Sequence, residues 1–195
     1  MIELKNVSFS YGQLQILNNF NLSVKDGECV QLYGISGSGK TTVLRLILGL
    51  EKADSGNIIA PKKISVVFQE DRLLENVDIQ KNIRMVLSKE HYALADTLLK
   101  EFGIYEVRKK RVSALSGGMK RRVALVRAIA YSGDALILDE PFNGLDIENK
   151  IIATNIIKRE FLDKNKPVLL ITHISEDAEL LNAKIVNIQT KISVE

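Results

Sequence analysis

The chain has 195 residues, a net charge of +3 and a hydrophobic fraction of 46%. Such values are typical of an ordinary folded protein, so one domain over residues 1–195 is expected, and the small charge gives no reason to expect nucleic acid. A single cysteine, Cys29, excludes an intrachain disulfide and a cysteine-based zinc site. Neither a signal peptide nor an apolar run of the ~18 residues needed for a membrane span is present, so work at a membrane would require a partner.

The hydrophobic pattern predicts alternating strands and helices. Alternating apolar residues predict two antiparallel strands first, and near-continuous apolar runs later predict strands buried on both faces. The predicted elements in chain order are strands at 2–9, 16–24 and 29–33, a helix at 40–50, a turn at 54–56, a strand at 64–68, an inserted helical lobe at approximately 75–115, a helix at 118–131, a strand at 135–138, a helix at 147–163 and a strand at 168–171. This order predicts an α/β fold with a mostly parallel sheet and right-handed crossovers.

A glycine-rich segment between a strand and a helix matches the pattern G-x-x-x-x-G-K-[ST]. Its residues are Gly34, Ile35, Ser36, Gly37, Ser38, Gly39, Lys40 and Thr41. The glycines let backbone amides curl around a β-phosphate, Lys40 would reach the β- and γ-oxygens, and the Thr41 hydroxyl would reach Mg²⁺. Thr42 would add a contact at the α-phosphate. The alternative is a glycine-rich turn that binds nothing, but the strand and helix on either side favour a nucleotide site.

Two adjacent acids, Asp139 and Glu140, follow the apolar strand at 135–138. Open α/β sheets place their ligands at the carboxyl ends of strands. Asp139 would hold Mg²⁺ directly or through water, and Glu140 would orient and deprotonate the attacking water. In isolation such a pair could be a helix cap or a solvated turn; downstream of a phosphate-binding loop, the catalytic reading is favoured.

A second glycine pair lies in the segment at 115–119, with the sequence Leu-Ser-Gly-Gly-Met. Ser116 precedes Gly117 and Gly118 at the predicted start of a helix, where backbone amides are suited to an anion. The chain therefore has two helix starts that could bind phosphate.

These motifs together resemble the ATP-binding cassette, the nucleotide-binding subunit of ABC transporters, over nearly the whole chain. The segment at 115–119 is similar to the family signature, with Met119 where Gln is commonest. Gln69 matches the glutamine that reaches Mg²⁺ and the attacking water, and His173 matches the histidine that contacts the γ-phosphate. Tyr11 lies where the family stacks an aromatic ring on adenine, and residues 141–146 match the loop that crosses the dimer interface.

Each weaker motif also has a structural alternative. Tyr11 could be an ordinary strand aromatic, and His173 could be a hydrogen-bonded histidine at a strand end. Gln69 alone would be unremarkable. The segment at 67–74 looks most like importer cassettes of the nitrate, sulfonate and taurine group.

The resemblance implies a P-loop NTPase core with an N-terminal antiparallel β subdomain and an inserted α-helical subdomain. It implies a Mg²⁺-dependent ATPase that acts as a homodimer, or as a pair with a similar cassette, with two ATP molecules between the subunits. Separate transmembrane permease subunits would dock near Gln69 and the helical insert, at the cytoplasmic face of the membrane. A solute-binding protein is a further partner that such importers can use.

Two basic tracts, at 108–111 and 120–122, raise the possibility of nucleic acid, which we do not expect. No aromatic residues interleave with the first tract, and the second lies on a helix whose charges are expected to be solvated or near phosphates. Two other functions stay open. A P-loop small-molecule kinase would share the loop at 34–41 but would have no use for the segment at 115–119. A cassette of a non-transport machine is the second alternative.

Overall fold

The computed structural model describes residues 1–188, and its strands form two sheets. A three-stranded antiparallel sheet has the order β2-β1-β4, and a five-stranded parallel sheet has the order β5-β6-β7-β3-β8. The strands are β1 Ile2–Tyr11, β2 Leu14–Val24, β3 Cys29–Tyr33, β4 Ser55–Ile59, β5 Ile64–Val67, β6 Ala135–Asp139, β7 Val168–Ile171 and β8 Lys184–Asn187. The predicted α/β class with a mostly parallel sheet is confirmed.

The helices connect and cover the parallel strands. Six α-helices are described, together with short 3₁₀ turns at Lys89–His91 and Val112–Ala114 and a π-helical turn at Lys158–Leu162. The α-helices are α1 Lys40–Ile47, α2 Ile79–Arg84, α3 Tyr92–Glu101, α4 Gly117–Ala130, α5 Ile147–Ile157 and α6 Ser175–Leu180. The helix predicted at 147–163 therefore changes to π-helical geometry after Ile157.

Three elements differ from the sequence prediction. The predicted turn at 54–56 is wrong, because Ser55 begins β4, which pairs with β1. Gly56 has a φ of +89°, and a Cβ there would lie 2.4 Å from the carbonyl oxygen of Asn6, so only glycine fits this strand position. Helix α6 and strand β8 were not predicted. Both are short, with six and four residues.

The parallel sheet separates two hydrophobic cores because side chains alternate along each strand. In β6, Leu136 and Leu138 face a core shared with α4, α5 and the helices of the insert. Ala135 and Ile137 face a second core, which β1, β2 and α1 complete. The central strands are therefore covered on both faces, as their continuous apolar sequences predict.

The helical insert occupies the region between β5 and α4. Its main helices, α2 and α3, pack on α4 through buried residues that include Ile83, Leu98 and Val126. Asp78 caps α2 by accepting a hydrogen bond from the Lys81 amide at 2.8 Å. These packed helices form the inserted helical part of the predicted fold, whereas its bounds of approximately 75–115 stay a prediction.

The division of the whole chain stays a prediction. A single domain was predicted over residues 1–195, and residues 189–195 lie outside the described part. Between residues 1 and 188 the structure has no helix whose length and hydropathy would let it cross a bilayer.

Cys29 provides a test of the packing at the start of β3. The residue is only 5% exposed, and burial raises the pKa of its thiol to about 12. Because the thiolate is the reactive form, we expect Cys29 to react slowly with a disulfide reagent such as Ellman's reagent at pH 8 in the native protein. In guanidinium chloride it should react rapidly and stoichiometrically. Rapid, complete labelling of the native protein would contradict this packing.

Candidate functional site

A cleft of about 730 Å³ lies where the carboxyl ends of the parallel strands meet. Most of the predicted site residues line it, although they come from distant parts of the chain. Those lining the cleft are Gly34, Ile35, Ser36, Gly37, Gly39, Lys40, Thr41, Thr42, Gln69, Asp139, Glu140 and His173. The structure therefore brings the phosphate-binding loop, the adjacent acids, the glutamine and the histidine to one place.

The phosphate-binding loop joins β3 to α1 in a conformation that depends on glycine. Gly37 and Gly39 have φ values of +79° and +98°, which residues with a side chain rarely adopt. Gly39 is the N-cap of α1 and has no side chain to cover the first turn of the helix. The amides at this helix start therefore face the cleft, where an anion is favoured.

Lys40 is held at the mouth of this loop. Its ammonium donates hydrogen bonds to the carbonyl oxygens of Gly34 at 2.7 Å and Ile35 at 2.8 Å. Backbone carbonyls carry only partial negative charge, so a phosphate oxygen would be a stronger partner for the ammonium. Ser38, a residue of the same loop, is buried, and its amide donates a hydrogen bond to the Ile35 carbonyl oxygen at 3.1 Å.

Asp139 and Glu140 occupy the end of β6, and both side chains are largely buried. Burial and, secondarily, the neighbouring Glu140 carboxylate raise the pKa of Asp139 to about 6, while Lys40 acts in the opposite direction. A cation placed beside Asp139 would offset the cost of burying two adjacent carboxylates.

Glu140 is held from three sides. Its backbone has a φ of +48°, an unfavourable conformation for a residue with a side chain, and its amide donates to the Ile171 carbonyl at 2.8 Å. One carboxylate oxygen lies 2.7 Å from His173 Nδ1, and the other accepts a hydrogen bond from the Thr172 hydroxyl at 3.2 Å. Such strain persists only where surrounding contacts fix it, and it is typical of functional positions.

The cleft offers oxygen donors that suit Mg²⁺. The Thr41 hydroxyl, the Gln69 amide and the Asp139 carboxylate all line it. Within residues 1–188 no group of three His, Cys, Asp or Glu side chains could hold a metal. Magnesium bound with phosphates commonly takes one or two carboxylates and completes its shell with water and phosphate oxygens, which suits the single carboxylate of Asp139.

Five predicted residues do not line the cleft, and one of them is Ser38, which is buried within the phosphate-binding loop. Tyr11 is 46% exposed, packs edge-on against Phe9 with ring centroids 4.8 Å apart, and lies with its hydroxyl 3.4 Å from Glu51. The other three are Ser116, Gly117 and Gly118, which form the start of α4. The Ser116 hydroxyl caps this helix by accepting a hydrogen bond from the Met119 amide at 3.3 Å.

The start of α4 contacts the loop at 141–146 through two glycines. A Cβ on Gly118 would lie 2.8 Å from the carbonyl oxygen of Gly144, whereas a Cβ on Gly117 would have nothing within 4 Å. Gly118 therefore allows the backbones of α4 and the loop to approach each other, whereas Gly117 faces open space. The same loop brings Asn143 to the cleft.

Several residues of the site were not predicted. Asn143, Ile16 and Tyr33 line the cleft, and Thr172 orients Glu140. Asn143 lies within the loop at 141–146, and Thr172 directly precedes His173, so their positions beside predicted residues were an available signal. Arg121 is a correction, because the charges of its tract were expected to be mostly solvated or near phosphates, whereas this side chain is only 6% exposed and donates to the carbonyl oxygens of Phe68 and Gln69.

The motifs and the cleft agree with comparison to known proteins. Residues 17–143 match the family model described as ABC transporter. The chain belongs to the ABC transporter family. A relative, the aliphatic sulfonates import ATP-binding protein SsuB 3 of Nocardia farcinica, is 36% identical over 92% of this chain and 73% of its own length. The phosphonates import ATP-binding protein PhnC of Fusobacterium nucleatum is 33% identical, over 95% of this chain and 87% of its own length.

This chain has the same fold as solved structures of ABC transporter cassettes. A dimeric bacterial ABC transporter cassette matches with a TM-score of 0.84 and 27% identity, over 96% of this chain and 94% of the cassette. A dimeric post-hydrolysis state bound to ADP and Pi matches with a TM-score of 0.83 and 27% identity, over 97% and 94%. The predicted family, its ATP-binding function and its ATPase activity are thus confirmed.

The glycine pair at the start of α4 gives a matched test of this packing. We expect Gly118→Ala to destabilise the fold by about 1–3 kcal/mol, because the new methyl group must displace the Gly144 backbone. The melting temperature should then fall by several degrees. Gly117→Ala is the control and should leave the melting temperature unchanged or slightly raised, since alanine favours helix. Equal melting temperatures for the two variants would contradict the contact between Gly118 and Gly144.

Proposed function

We propose that this chain is the ATP-hydrolysing subunit of a membrane importer and that it works as a dimer. The observation that carries the proposal is that the phosphate-binding groups of one subunit lie in two separate places. The loop at 34–41 faces Asp139 and Glu140 within one cleft, whereas Ser116 and its glycines lie outside that cleft. A second subunit can bring its own Ser116 to this cleft, and dimeric cassettes are among the structures most similar to this chain.

ATP binding would begin at the loop and α1. The amides at the start of α1 would surround the β-phosphate, and Lys40 would exchange the carbonyls of Gly34 and Ile35 for phosphate oxygens. Thr42 would contact the α-phosphate. Tyr11 is 46% exposed on β1, so adenine could contact its ring without rearrangement of the buried core.

Magnesium would be held by Thr41, Gln69 and Asp139. When bound, it would neutralise charge on the phosphate oxygens and help to align the terminal phosphate. These residues fit the ion because each presents a hard oxygen donor to the same cleft.

Hydrolysis would depend on Glu140 as the base that accepts a proton from the attacking water. Its carboxylate is oriented before substrate arrives, by the Thr172 hydroxyl and by His173. The His173 side chain is 66% exposed and can turn toward the γ-phosphate. A preoriented base lowers the cost of reaching the transition state because little reorganisation remains.

Closure of the dimer would be coupled to ATP. Two copies facing each other head to tail would place the Ser116 hydroxyl and the Gly117 and Gly118 amides of one copy against the triphosphate of the other. Gly117 has open space around it, which leaves room for a ligand. ATP would then add contacts that only the closed dimer completes, and hydrolysis would release them.

The transport role would require permease subunits that hold the dimer at the cytoplasmic face of the membrane. Relatives named for the import of sulfonates and phosphonates favour an importer, with a small organic oxyanion as the solute and a solute-binding protein as a further partner. Three exposed apolar residues, Leu74 just before the helical insert and Met85 and Val86 within it, are available for a permease to pack on.

Glu140→Gln tests the assignment of the base. We expect this variant to bind ATP with wild-type affinity but to hydrolyse it about 10² to 10⁴ times more slowly, because glutamine keeps the shape and cannot accept the proton. Calorimetry and phosphate release measure the two quantities. Lys40→Ala is the contrasting variant and should abolish measurable ATP binding. Full turnover by Glu140→Gln would remove Glu140 from this role.

Ser116→Arg tests the dimer. In the Glu140→Gln background with saturating magnesium and ATP, we expect light scattering to show dimers, and adding Ser116→Arg should give monomers that still bind ATP. The bulky charge blocks the partner's phosphates but lies outside the subunit's own cleft. The control is Asp78→Ala, which removes the cap of α2 and should leave the dimer intact. Loss of ATP binding by the monomer would contradict the assigned geometry.

A further inference from the structure

Arg121 is a buried cation that contacts the segment carrying Gln69. We call residues 68–72 the glutamine segment. The Arg121 guanidinium donates hydrogen bonds to the carbonyl oxygens of Phe68 at 2.8 Å and Gln69 at 2.6 Å. Its Nε lies 3.3 Å from a carboxylate oxygen of Asp71. One side chain of α4 therefore contacts three residues of the glutamine segment.

Arg127 extends the same contact along α4. Its guanidinium donates to the carbonyl oxygens of Asp71 at 2.8 Å and Arg72 at 2.7 Å. Together the two arginines bond four of the five carbonyls in the glutamine segment. Arg72 has a φ of +48°, and its guanidinium lies 3.6 Å from the centre of the Phe68 ring, which closes the segment on itself.

These contacts fix the segment because the alternatives are costly. A guanidinium that is removed from water must be compensated by hydrogen bonds or by an opposite charge. Arg121 is 6% exposed, and the carbonyls and Asp71 supply that compensation. If the segment moved away from α4, a buried charge would lose its partners.

The position of the segment in the chain makes this contact relevant to the cleft. Strand β5 ends at Val67 and α2 begins at Ile79, so the glutamine segment leaves the sheet without helix or strand of its own. Gln69 lines the cleft, whereas α4 begins at Gly117, after its cap Ser116, outside the cleft. The arginines are therefore a direct connection between these two parts of the molecule.

We propose that Arg121 and Arg127 are positioning residues that attach the glutamine segment to α4, so that Gln69 keeps its place in the cleft and follows α4 when this helix moves. The proposal rests on the proposed function for the role of Gln69 in hydrolysis. The attachment itself is a property of the chain without nucleotide, and it can be measured separately.

The experiment compares Arg121→Met, Arg127→Met and Arg121→Lys in the full chain. Methionine keeps an unbranched apolar stem but has no donors. In Arg121→Met we expect hydrogen exchange in the glutamine segment, measured without nucleotide, to accelerate about tenfold, because the segment opens more often. The kcat for ATP hydrolysis should fall by about tenfold to a hundredfold, since small displacements of catalytic groups have effects of this size. The Kd for ATP should change less than about twofold.

Arg121→Lys should be intermediate in both measurements, because it keeps the charge and can serve one carbonyl at a time. The control is Arg84→Met, which removes an arginine paired with Asp96 inside the helical insert. It should leave exchange in the glutamine segment at the wild-type rate.

Wild-type exchange in folded Arg121→Met would overturn the attachment, and faster exchange with an unchanged kcat would overturn its link to hydrolysis. If Arg121→Met does not fold, hydrogen exchange and kcat measured on Arg121→Lys and Arg127→Met test the proposal in the same way. If the wild-type chain does not bind ATP, the proposed function fails, but the exchange data still test the attachment.

Discussion

The parallel pairing of the central strands is the constraint on which the site depends. Strand β7 pairs with β3 on one side and β6 on the other, so that Ile171 lies opposite both Leu32 and Asp139. Because the strands end in register, the chain leaves each of them at the same edge of the sheet. The phosphate-binding loop, Glu140 and His173 are brought together by this register, although more than thirty residues separate each from the next.

The two hydrophobic cores make that edge rigid enough to hold a strained residue. Leu138 and Leu170 pack into one core, and Ile137 and Leu169 pack into the other. A shift of one residue in the pairing of a strand would turn these side chains toward the wrong core, so the register is strongly specified. The left-handed backbone of Glu140 is held by this framework, through its amide and the Ile171 carbonyl. Its carboxylate is thereby aimed at the cleft by the fold.

The sequence predicts the strands and helices that depend on local patterns, but not the contacts between residues that are distant in the sequence. Buried strands such as 135–138 are visible because apolar residues are continuous in them. The sequence predicts a turn at the start of β4 because Ser55 and Gly56 are typical turn residues. Only the close approach of the Asn6 backbone explains why position 56 is glycine. The helix pattern places the charge of Arg121 in solvent or near phosphates, because the carbonyl oxygens that compensate it are 52 and 53 residues away in the sequence.

Helix α4 contacts two segments that line the cleft, and this bears on how dimer closure could reach the catalytic groups. At its start, Gly118 packs on Gly144, in the loop that brings Asn143 to the cleft. On its second turn, Arg121 donates a hydrogen bond to the carbonyl oxygen of Gln69, which also lines the cleft. An α-helix of 14 residues is stiff enough to move as one body. In the proposed dimer, a partner's triphosphate that engages Ser116 would therefore act on both of these segments of this subunit's own site, and the two nucleotides would be coupled through a single packed element.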